Sequence, residues 1–189
     1  MTLFYEAGRH REAGLPHDPM KAIVAPRPIG WISTLDAAGR ANLAPYSFFN
    51  MVQTSPAMVM FGSDGLKHTA ANAIATGEFV FNLATRPLFD AMNASSATLA
   101  EGESEFEHAG LERAACRVVK APRVAASPAS LECRVVQSLP LKDIEGREFG
   151  GHLVIGQVVG VHIADWALKD GRFDMLAART IARCGYRDY

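Results

Sequence analysis

The stretch from Arg27 to Asn50, RPIGWISTLDAAGRANLAPYSFFN, constrains the fold more than any other part of the chain. Proline cannot donate a ladder hydrogen bond, so a first strand is expected to start after Pro28 and to cover residues 29–35. Gly39 supplies a turn residue, and residues 41–49 are expected to return as a second strand. The fold is therefore expected to contain an antiparallel hairpin near its start.

This hairpin carries many small polar side chains for a region that should be half buried. They stand among aromatic residues, and they are Ser33, Thr34, Ser47 and Asn50. A buried polar group needs a hydrogen-bond partner, and a bound molecule with a flat ring and a phosphate tail would supply such partners. The simpler alternative is a half-buried strand pair whose polar groups are satisfied within the chain.

Most of the remaining elements are predicted to be short strands. Apolar runs bounded by turn residues predict strands over 57–61, 78–84, 131–139 and 152–165. Short helices are predicted from a cap at Thr69 to Gly77 and over residues 87–94. Consecutive strands with few crossover helices favour an antiparallel barrel, mainly β with short helices, over a parallel doubly wound sheet. The lack of a GxGxxG motif also argues against a Rossmann site.

Two of the predicted strands carry further information. Pro45 marks the second strand of the hairpin as a sheet edge or as the site of a bulge. Residues 153–163 are apolar on both faces for much of their length. That pattern is typical of a barrel strand covered on its outside by a helix or by another subunit.

Length, charge and composition narrow the class of protein. A chain of 189 residues is expected to form one domain, residues 1–189, whose core needs neither disulfides nor a metal. A formal net charge of −1 without a basic block argues against nucleic acid and against an anionic membrane surface. The N-terminus lacks a signal-peptide core and no apolar run is long enough to span a bilayer, so the cytoplasm is expected.

The cysteines and one acidic segment also bear on the class. Cys116, Cys133 and Cys184 are widely spaced, with no CxxC and no Cys–His pairing at zinc spacing. Reduced thiols and no metal site are therefore expected, with a disulfide between two of them as the minor alternative. The acidic segment 101–107 is expected to be a solvated loop or the start of a helix.

The hairpin offers two candidate binding segments. Strand alternation puts Trp31 and Ser33 on one face and Thr34 on the other, so one face could meet a ring or a phosphate tail. Residues 47–50 end the second strand, where backbone groups and short side chains can bind the polar edge of a ring. A strand end with an asparagine turn is the plain alternative.

Four residues outside the hairpin are further candidates. Lys67 and Thr69 stand at the start of a predicted helix, whose free N–H groups and dipole favour an anion, although a plain cap beside a solvated lysine is an equal alternative. His152 follows two glycines at a strand start and could bind a ring carbonyl or a nicotinamide, or be structural. Arg183 could bind a phosphate, or belong to a terminal segment docked on the barrel.

Taken in order, these motifs resemble the flavin reductase-like family, the FMN-binding split barrels. The resemblance covers about residues 20–189 and rests on RPIGWIST from Arg27, PYSFFN from Pro45, the K-x-T of Lys67 and EFVFNLA from Glu78. It implies a split β-barrel that is usually a homodimer, with FMN near the subunit interface.

The resemblance also implies roles for residues at matching positions. By this resemblance, the residues that line the cofactor are Trp31, Ser33 and Thr34. The residues that border its ring are Ser47, Phe48, Phe49 and Asn50. The phosphate is expected to contact Lys67 and Thr69, and more weakly Arg183. His152 resembles the histidine of a Gly-Asp-His element in related reductases. Gly151 replaces the aspartate of that element, which leaves a role in nicotinamide binding open.

The function implied by the resemblance is that of an FMN-dependent NAD(P)H:flavin oxidoreductase. NAD(P)H would be the transient donor, FMN or FAD the bound flavin, and a free flavin or an oxygenase the acceptor. One alternative is a non-enzymatic FMN electron carrier that a partner protein reduces. Another is a barrel that has lost its flavin and survives as an interaction protein.

Overall fold

The computed structural model of the protein describes residues 1–100 and 103–189, so part of the acidic segment 101–107 lies outside it. A seven-stranded antiparallel sheet dominates the described chain. Its strands are β1 Gly30–Leu35, β2 Ala41–Tyr46, β3 Phe49–Thr54, β4 Ala57–Ser63, β5 Glu78–Leu83, β6 Ala129–Lys142 and β7 Glu148–Ile163. The predicted fold class, mainly β and antiparallel with short helices, is confirmed.

The order of strands across the sheet brings its two edges together. That order is β2-β1-β5-β6-β7-β4-β3, so the edge strands β2 and β3 are consecutive in the chain. They are separated by the bend at Ser47 and Phe48. In the described part of the chain no hydrogen-bond ladder joins β2 to β3. The sheet therefore stays open along this line.

Packing between the two ends of the sheet shows that it curls into a barrel. Phe49 of β3 stacks on Phe81 of β5 with ring centroids 4.7 Å apart. Tyr46 of β2 packs against Phe61 of β4 with centroids 5.0 Å apart. Side chains from β1 and from β3 to β7 share one buried cluster, which also includes two alanines of a helix. The sheet thus wraps around a single core.

The helices are short, as predicted. They are α1 Met20–Ile23, α2 His68–Thr76, α3 Phe89–Ala94, α4 Glu105–His108 and α5 Met175–Ala178, with 3₁₀ turns at Arg86–Leu88 and Asp165–Ala167. Three pairs of two-residue strands tie the loops together: Arg27–Pro28 with Ala182–Arg183, Arg113–Ala114 with Arg123–Val124, and Leu168–Lys169 with Arg172–Phe173. No helix among the described residues is long and apolar enough to cross a membrane.

Helix α2 packs one face against the core of the barrel and leaves the opposite face exposed. Ala70 and Ala73 face the core and are fully buried, because their small side chains let the helix lie close to the sheet. The helix ends at Gly77, which adopts φ +72° and donates its N–H to the carbonyl of Ala73. The prediction that Gly77 ends this helix is confirmed, and the reason is the left-handed conformation that glycine adopts without strain.

A second apolar layer covers the outer face of β1 and β2. Trp31 and Leu43 pack there against Met92 of α3 and Phe106 of α4. Strand β1 is therefore buried on both faces, although it carries the polar residues Ser33 and Thr34. Its polar side chains are buried because the helices and the loop over residues 121–124 lie on top of them.

The structure corrects the predicted hairpin in one respect. Residues 41–49 do not form one strand, because the chain bends after Tyr46 and then forms β3, which pairs with β4 instead of β1. Pro45 lies on the edge strand β2, as expected. The turn at Gly39, with φ +79°, is also confirmed. β3 and β4 form a hairpin joined by Ser55 and Pro56, so the strand after the bend pairs with its immediate neighbour in the chain.

Candidate functional site

One end of the barrel collects most of the exposed residues that the sequence singled out. There the bend at Ser47 and Phe48 lies beside the end of β4, since the N–H of Gly62 donates to the carbonyl of Phe48 over 2.7 Å. On the other side of β4, Ser63 is the register partner of His152 on β7. The loop that follows Ser63 leads into α2. Three chain segments distant in sequence therefore meet at this end.

Phe48 gives this end of the barrel an exposed aromatic surface. Its side chain is 52% exposed, although it lies next to buried strands. The Lys21 ammonium of α1 lies 5.9 Å from the centroid of the Phe48 ring. An added Cβ at Gly62 would lie 3.3 Å from the Phe48 Cβ, so the glycine permits the close approach of the two segments. A flat apolar ligand would find a matching surface here.

The N-terminus of α2 opens toward the same region. The helix begins at His68 with Lys67 as the N-cap residue, no side chain caps its first turn, and no acidic residue lies there. The prediction that Thr69 caps the helix is wrong, because its hydroxyl accepts instead from Asn42 Nδ2 over 2.7 Å. The uncapped N–H groups and the exposed Lys67 leave a positive end that an anion would complement.

A buried hydroxyl without a partner lies between these groups. Ser63 is 3% exposed, and its Oγ makes no hydrogen bond of ordinary geometry with the described residues. The nearby Tyr46 phenol is half-buried, and burial raises the pKa of Tyr46 while the hydroxyls of Thr69 and Ser63 act to lower it. An unpaired buried polar atom is rare in native proteins, and a bound ligand is one way to satisfy it. The residues present thus fit a ring with a phosphate tail.

His152 takes a defined orientation at the strand start. Its Nδ1 lies 3.1 Å from the carbonyl oxygen of Gly150, which can only accept, so Nδ1 carries the proton. In the neutral ring Nε2 is then a hydrogen-bond acceptor. The sequence analysis expected this histidine to donate to a ring carbonyl or to lie against a nicotinamide, whereas a neutral ring with the proton on Nδ1 would accept at Nε2 from an N–H donor.

Three residues expected to line the cofactor lie in the interior, and we correct that assignment. Trp31 is 0% exposed, and its Nε1 donates to Ser95 Oγ over 2.9 Å. Ser33 is equally buried and bonds to the Pro122 carbonyl and to Asn82. Their hydrogen bonds are satisfied within the chain, which was the simpler alternative.

The third of these residues, Thr34, lies on the inner face of β1 beneath α2. It is fully buried, and its Oγ1 accepts a hydrogen bond of 3.3 Å from Asn72 Nδ2. Thr34 therefore fixes the position of α2, whose first turn opens on the site, without offering a surface to a ligand.

Phe49, Asn50 and Arg183 are placed differently from one another. Phe49 is buried in the barrel, so the expectation that its side chain borders a ring is corrected. Asn50 is exposed on β3 and accepts from the Met51 N–H. Arg183 donates to the Tyr186 carbonyl and lies 4.2 Å from the Tyr189 ring centroid, as expected of a docked terminal segment. Its guanidinium is thus occupied by the C-terminus.

The sequence analysis missed two residues of the site and one that supports it. Tyr46 lay inside the predicted strand 41–49 and Ser63 in the turn after the predicted strand 57–61, and neither position gives a distinctive signal of a binding residue. Arg27 is buried and donates to the carbonyls of Lys21, Val24 and Cys184. It ties α1, and with it Lys21, to the barrel and to the C-terminal segment.

Comparisons with known proteins show the family to which the chain is similar. Residues 21–177 match the model of the flavin reductase like domain. The chain is 36% identical over 171 residues to an uncharacterized protein of Halalkalibacterium halodurans, covering 88% of this chain and 81% of that one.

Two solved structures are similar over most of the chain. Nitrilotriacetate monooxygenase component B from Bacillus cereus superposes with a TM-score of 0.90 at 27% identity, covering 100% of this chain and 95% of that one. A protein from Shewanella frigidimarina assigned as a flavin reductase with a split barrel domain gives a TM-score of 0.77 at 25% identity, covering 87% and 81%. The predicted split β-barrel is therefore confirmed.

Proposed function

The chain belongs to the flavin reductase-like family, and from that premise we propose that it is an FMN-dependent NAD(P)H:flavin oxidoreductase. The observation that carries the proposal is the buried, unpartnered hydroxyl of Ser63 beside the uncapped N-terminus of α2. A phosphate or a polar ring edge would satisfy both features at once.

Each exposed residue at this end of the barrel has a role in the proposal. Lys67 and the first-turn N–H groups of α2 would bind the FMN phosphate through charge-assisted hydrogen bonds. Phe48 would provide an apolar wall for the ring. Ser47 and Asn50 would offer polar groups at its edge, and His152 would accept from an N–H donor through Nε2.

Bound FMN would supply the chemistry of hydride acceptance, which no amino-acid side chain provides. The chain's own residues then need only bind, orient and shield the reactants. That requirement agrees with a site that has one histidine, one lysine and several hydroxyls but no carboxylate pair arranged for acid–base work.

The electron donor in this proposal is a nicotinamide, and the acceptor is a free flavin or an oxygenase. Similarity over the full chain to a protein named as a monooxygenase component supports the oxygenase as acceptor. FAD could replace FMN, because the phosphate-binding features do not exclude a longer tail.

We place the protein in the cytoplasm, where its free Cys116, Cys133 and Cys184 would stay reduced.

A homodimer is part of the proposal. The edge strand β3 exposes Met51 and Val52, and Phe149 on β7 is 65% exposed. Exposed apolar side chains next to an unpaired strand edge are a liability for a monomer, because they invite association. A second copy of the chain would cover them, and in this family it would also stand close to the flavin.

A second candidate function is an FMN electron carrier reduced by a protein partner. The favouring observation is that His152 follows the buried Gly151 instead of an aspartate, and that its Nδ1 is already bound to Gly150. No carboxylate of that element remains to orient a nicotinamide. FMN binding would survive this change, since it depends on the other residues.

Absorbance spectroscopy of the purified protein tests the two functions together. Titration with FMN should give stoichiometric binding, and anaerobic NADH or NADPH should then bleach the flavin band rapidly. Binding without bleaching would transfer the assignment to the carrier. Absence of binding to both FMN and FAD would overturn both functions.

A further inference from the structure

A second cluster of reactive side chains lies away from the end of the barrel described above. Cys116, Glu132 and His162 each offer one ligand atom, and these three atoms all lie within 4.8 Å of one another. The cysteine comes from the loop after Arg113–Ala114, the glutamate from β6 and the histidine from β7. Cys116 and His162 are half-buried and Glu132 is buried.

The glutamate is already held in the orientation that a ligand requires. Glu132 Oε1 accepts from the N–H of Arg117, and Oε2 accepts from the N–H groups of Val118 and Val119 over 2.6 and 2.8 Å. Outer hydrogen bonds of this kind fix ligating carboxylates in metal sites and tune their affinity. They also hold the loop that carries Cys116 against the sheet.

The histidine is bound to the same carboxylate. His162 Nε2 lies 2.6 Å from Glu132 Oε1, so a single proton is shared between them. A tetrahedral zinc ion places neighbouring N, O and S ligand atoms roughly 3.3–3.7 Å apart. A cation replacing that proton would need His162 and Glu132 to separate by about 1 Å or less, and the Cys116 thiolate to move inward by a similar amount.

The site also has an opening for a fourth ligand. Glu132 and His162 line a cavity of about 530 Å³ on the surface, together with Arg117, Arg123 and Ser127. Three protein ligands with an open fourth position are typical of catalytic zinc sites, whereas structural sites are closed by four. Water or a small ligand could occupy the remaining position.

We propose that Cys116, Glu132 and His162 form a binding site for a thiophilic divalent cation of the zinc class, with its fourth position open to this cavity. A thiolate and a carboxylate balance the two positive charges of the ion, and a neutral imidazole completes a donor set suited to zinc. The sequence showed no zinc spacing because the three ligands come from separate segments. The buried Nε of Arg123 makes no hydrogen bond with the described residues, and this guanidinium lines the same cavity, where an anionic fourth ligand would meet it.

Cobalt substitution tests this site independently of any flavin reaction. Chelator-treated, reduced, flavin-free full-length protein is titrated with Co²⁺ alone. We expect one equivalent to produce thiolate-to-cobalt charge-transfer absorption and visible bands of four-coordinate cobalt, and one equivalent of Zn²⁺ to remove both. The absence of a stoichiometric cobalt spectrum would overturn the proposal, and the His162–Glu132 pair would then be structural only.

Variants identify the ligands. Cys116→Ser should abolish the charge-transfer band and weaken Zn²⁺ binding by at least the roughly 10- to 100-fold that loss of an outer-shell partner costs. Cys184→Ser is the matched control, because Cys184 is also a half-buried free thiol and lies outside the cluster. A charge-transfer band that survives Cys116→Ser would contradict the assignment.

Alkylation of the unmodified chain keeps the proposal testable if the serine variant does not fold. With iodoacetamide and mass spectrometry, Zn²⁺ should slow modification of Cys116 at least about tenfold while leaving that of Cys184 unchanged. Equal rates at Cys116 with and without Zn²⁺ would overturn the proposal. Neither measurement depends on the proposed oxidoreductase, so the two can fail separately.

Discussion

Ser63 and His152 are register partners on the antiparallel strands β4 and β7, at the end of the barrel where the chain enters α2. Ser63 is buried and its hydroxyl lacks a partner, whereas His152 is half-buried with Nδ1 bound to its own turn. One residue therefore offers an unused hydrogen bond and the other a free ring nitrogen. This pairing gives the proposed flavin site two polar groups on adjacent strands.

The Ser63 hydroxyl should matter for ligand binding and not for folding. Ser63→Ala removes a hydroxyl that makes no hydrogen bond of ordinary geometry and only a weak contact with the Tyr46 phenol, so the free energy of unfolding of the flavin-free protein should change little. FMN binding should weaken by about 0.5–1.5 kcal/mol, measured by fluorescence titration. Ser127→Ala is the control with the opposite expectation, because the Ser127 hydroxyl bonds to the carbonyls of Leu83 and Ala129.

Lys67 should contribute to phosphate binding through its charge. Lys67→Ala is expected to weaken FMN binding by about 1.5–3 kcal/mol, as the loss of a charge-assisted hydrogen bond does. Raising the salt concentration should reduce the difference from the unmodified protein. Lys120→Ala serves as the control, since the Lys120 backbone is tied to Glu78 beyond the other end of α2. Equal affinity in both variants would leave Lys67 a solvated neighbour.

Trp31 should act on stability alone. Trp31→Phe loses the hydrogen bond to Ser95 and leaves a cavity in the outer layer, so the free energy of unfolding should fall by about 1–3 kcal/mol. Affinity for FMN should stay within experimental error. Trp166→Phe is the control, because Trp166 is exposed and its replacement should change neither quantity. A large loss of FMN affinity in Trp31→Phe would restore the original assignment to the cofactor lining.

Glu132 should make the free energy of unfolding of the metal-free protein fall at acidic pH. Burial acts to raise its pKa, but the N–H groups of 117–119 and the bond from His162 together lower it from 4.5 to about 2. Because the folded state binds this proton less tightly than the unfolded state, the stabilisation is complete above about pH 4.5 and is lost as the pH falls toward 2.

Denaturant titrations with a chelator present check this prediction. Glu132→Gln should destabilise the protein at pH 7 by about 1.5–3 kcal/mol, because an amide cannot accept from all of these donors. The difference in unfolding free energy between the two proteins should shrink between about pH 4.5 and 2. A difference that is constant with pH would exclude the carboxylate charge as its source.

Association of the chain should be visible in its mass. Light scattering at micromolar concentration should give about twice the 20.4 kDa of one chain, since a second copy would cover Met51, Val52 and Phe149. A monomer mass at that concentration would leave these side chains exposed and would remove the dimer from the proposal.

Local sequence predicted the elements well where a single residue type decides the geometry. Gly39 and Gly77 adopt positive φ in the predicted turn and at the predicted helix end, and Pro45 lies on an edge strand. The motif from Arg27 also pointed to the family. Its role differs from the expected one, because Arg27 ties α1 and the C-terminal segment to the barrel and Trp31 anchors the outer apolar layer.

The candidate site also has features that local sequence predicts and features that it does not. Its positive helix end at Lys67 was predictable, since the N-terminus of a helix is positive whatever lies around it. The partner of each polar side chain was not predictable. Ser33 and Thr34 found partners within the chain while Ser63 found none, and only the packing of distant segments decides between these outcomes.

The sequence by itself determined most of the strands, the turns, the family and the positive end of α2, because these depend on neighbouring residues and on short motifs. The tertiary structure decided that β1 pairs with β5, that Trp31 is buried, and that Cys116, Glu132 and His162 meet. The physical reason is that burial and contact depend on which segments the sheet brings together when it curls. The number of residues between Cys116, Glu132 and His162 in the sequence does not show how far apart their side chains lie in the fold.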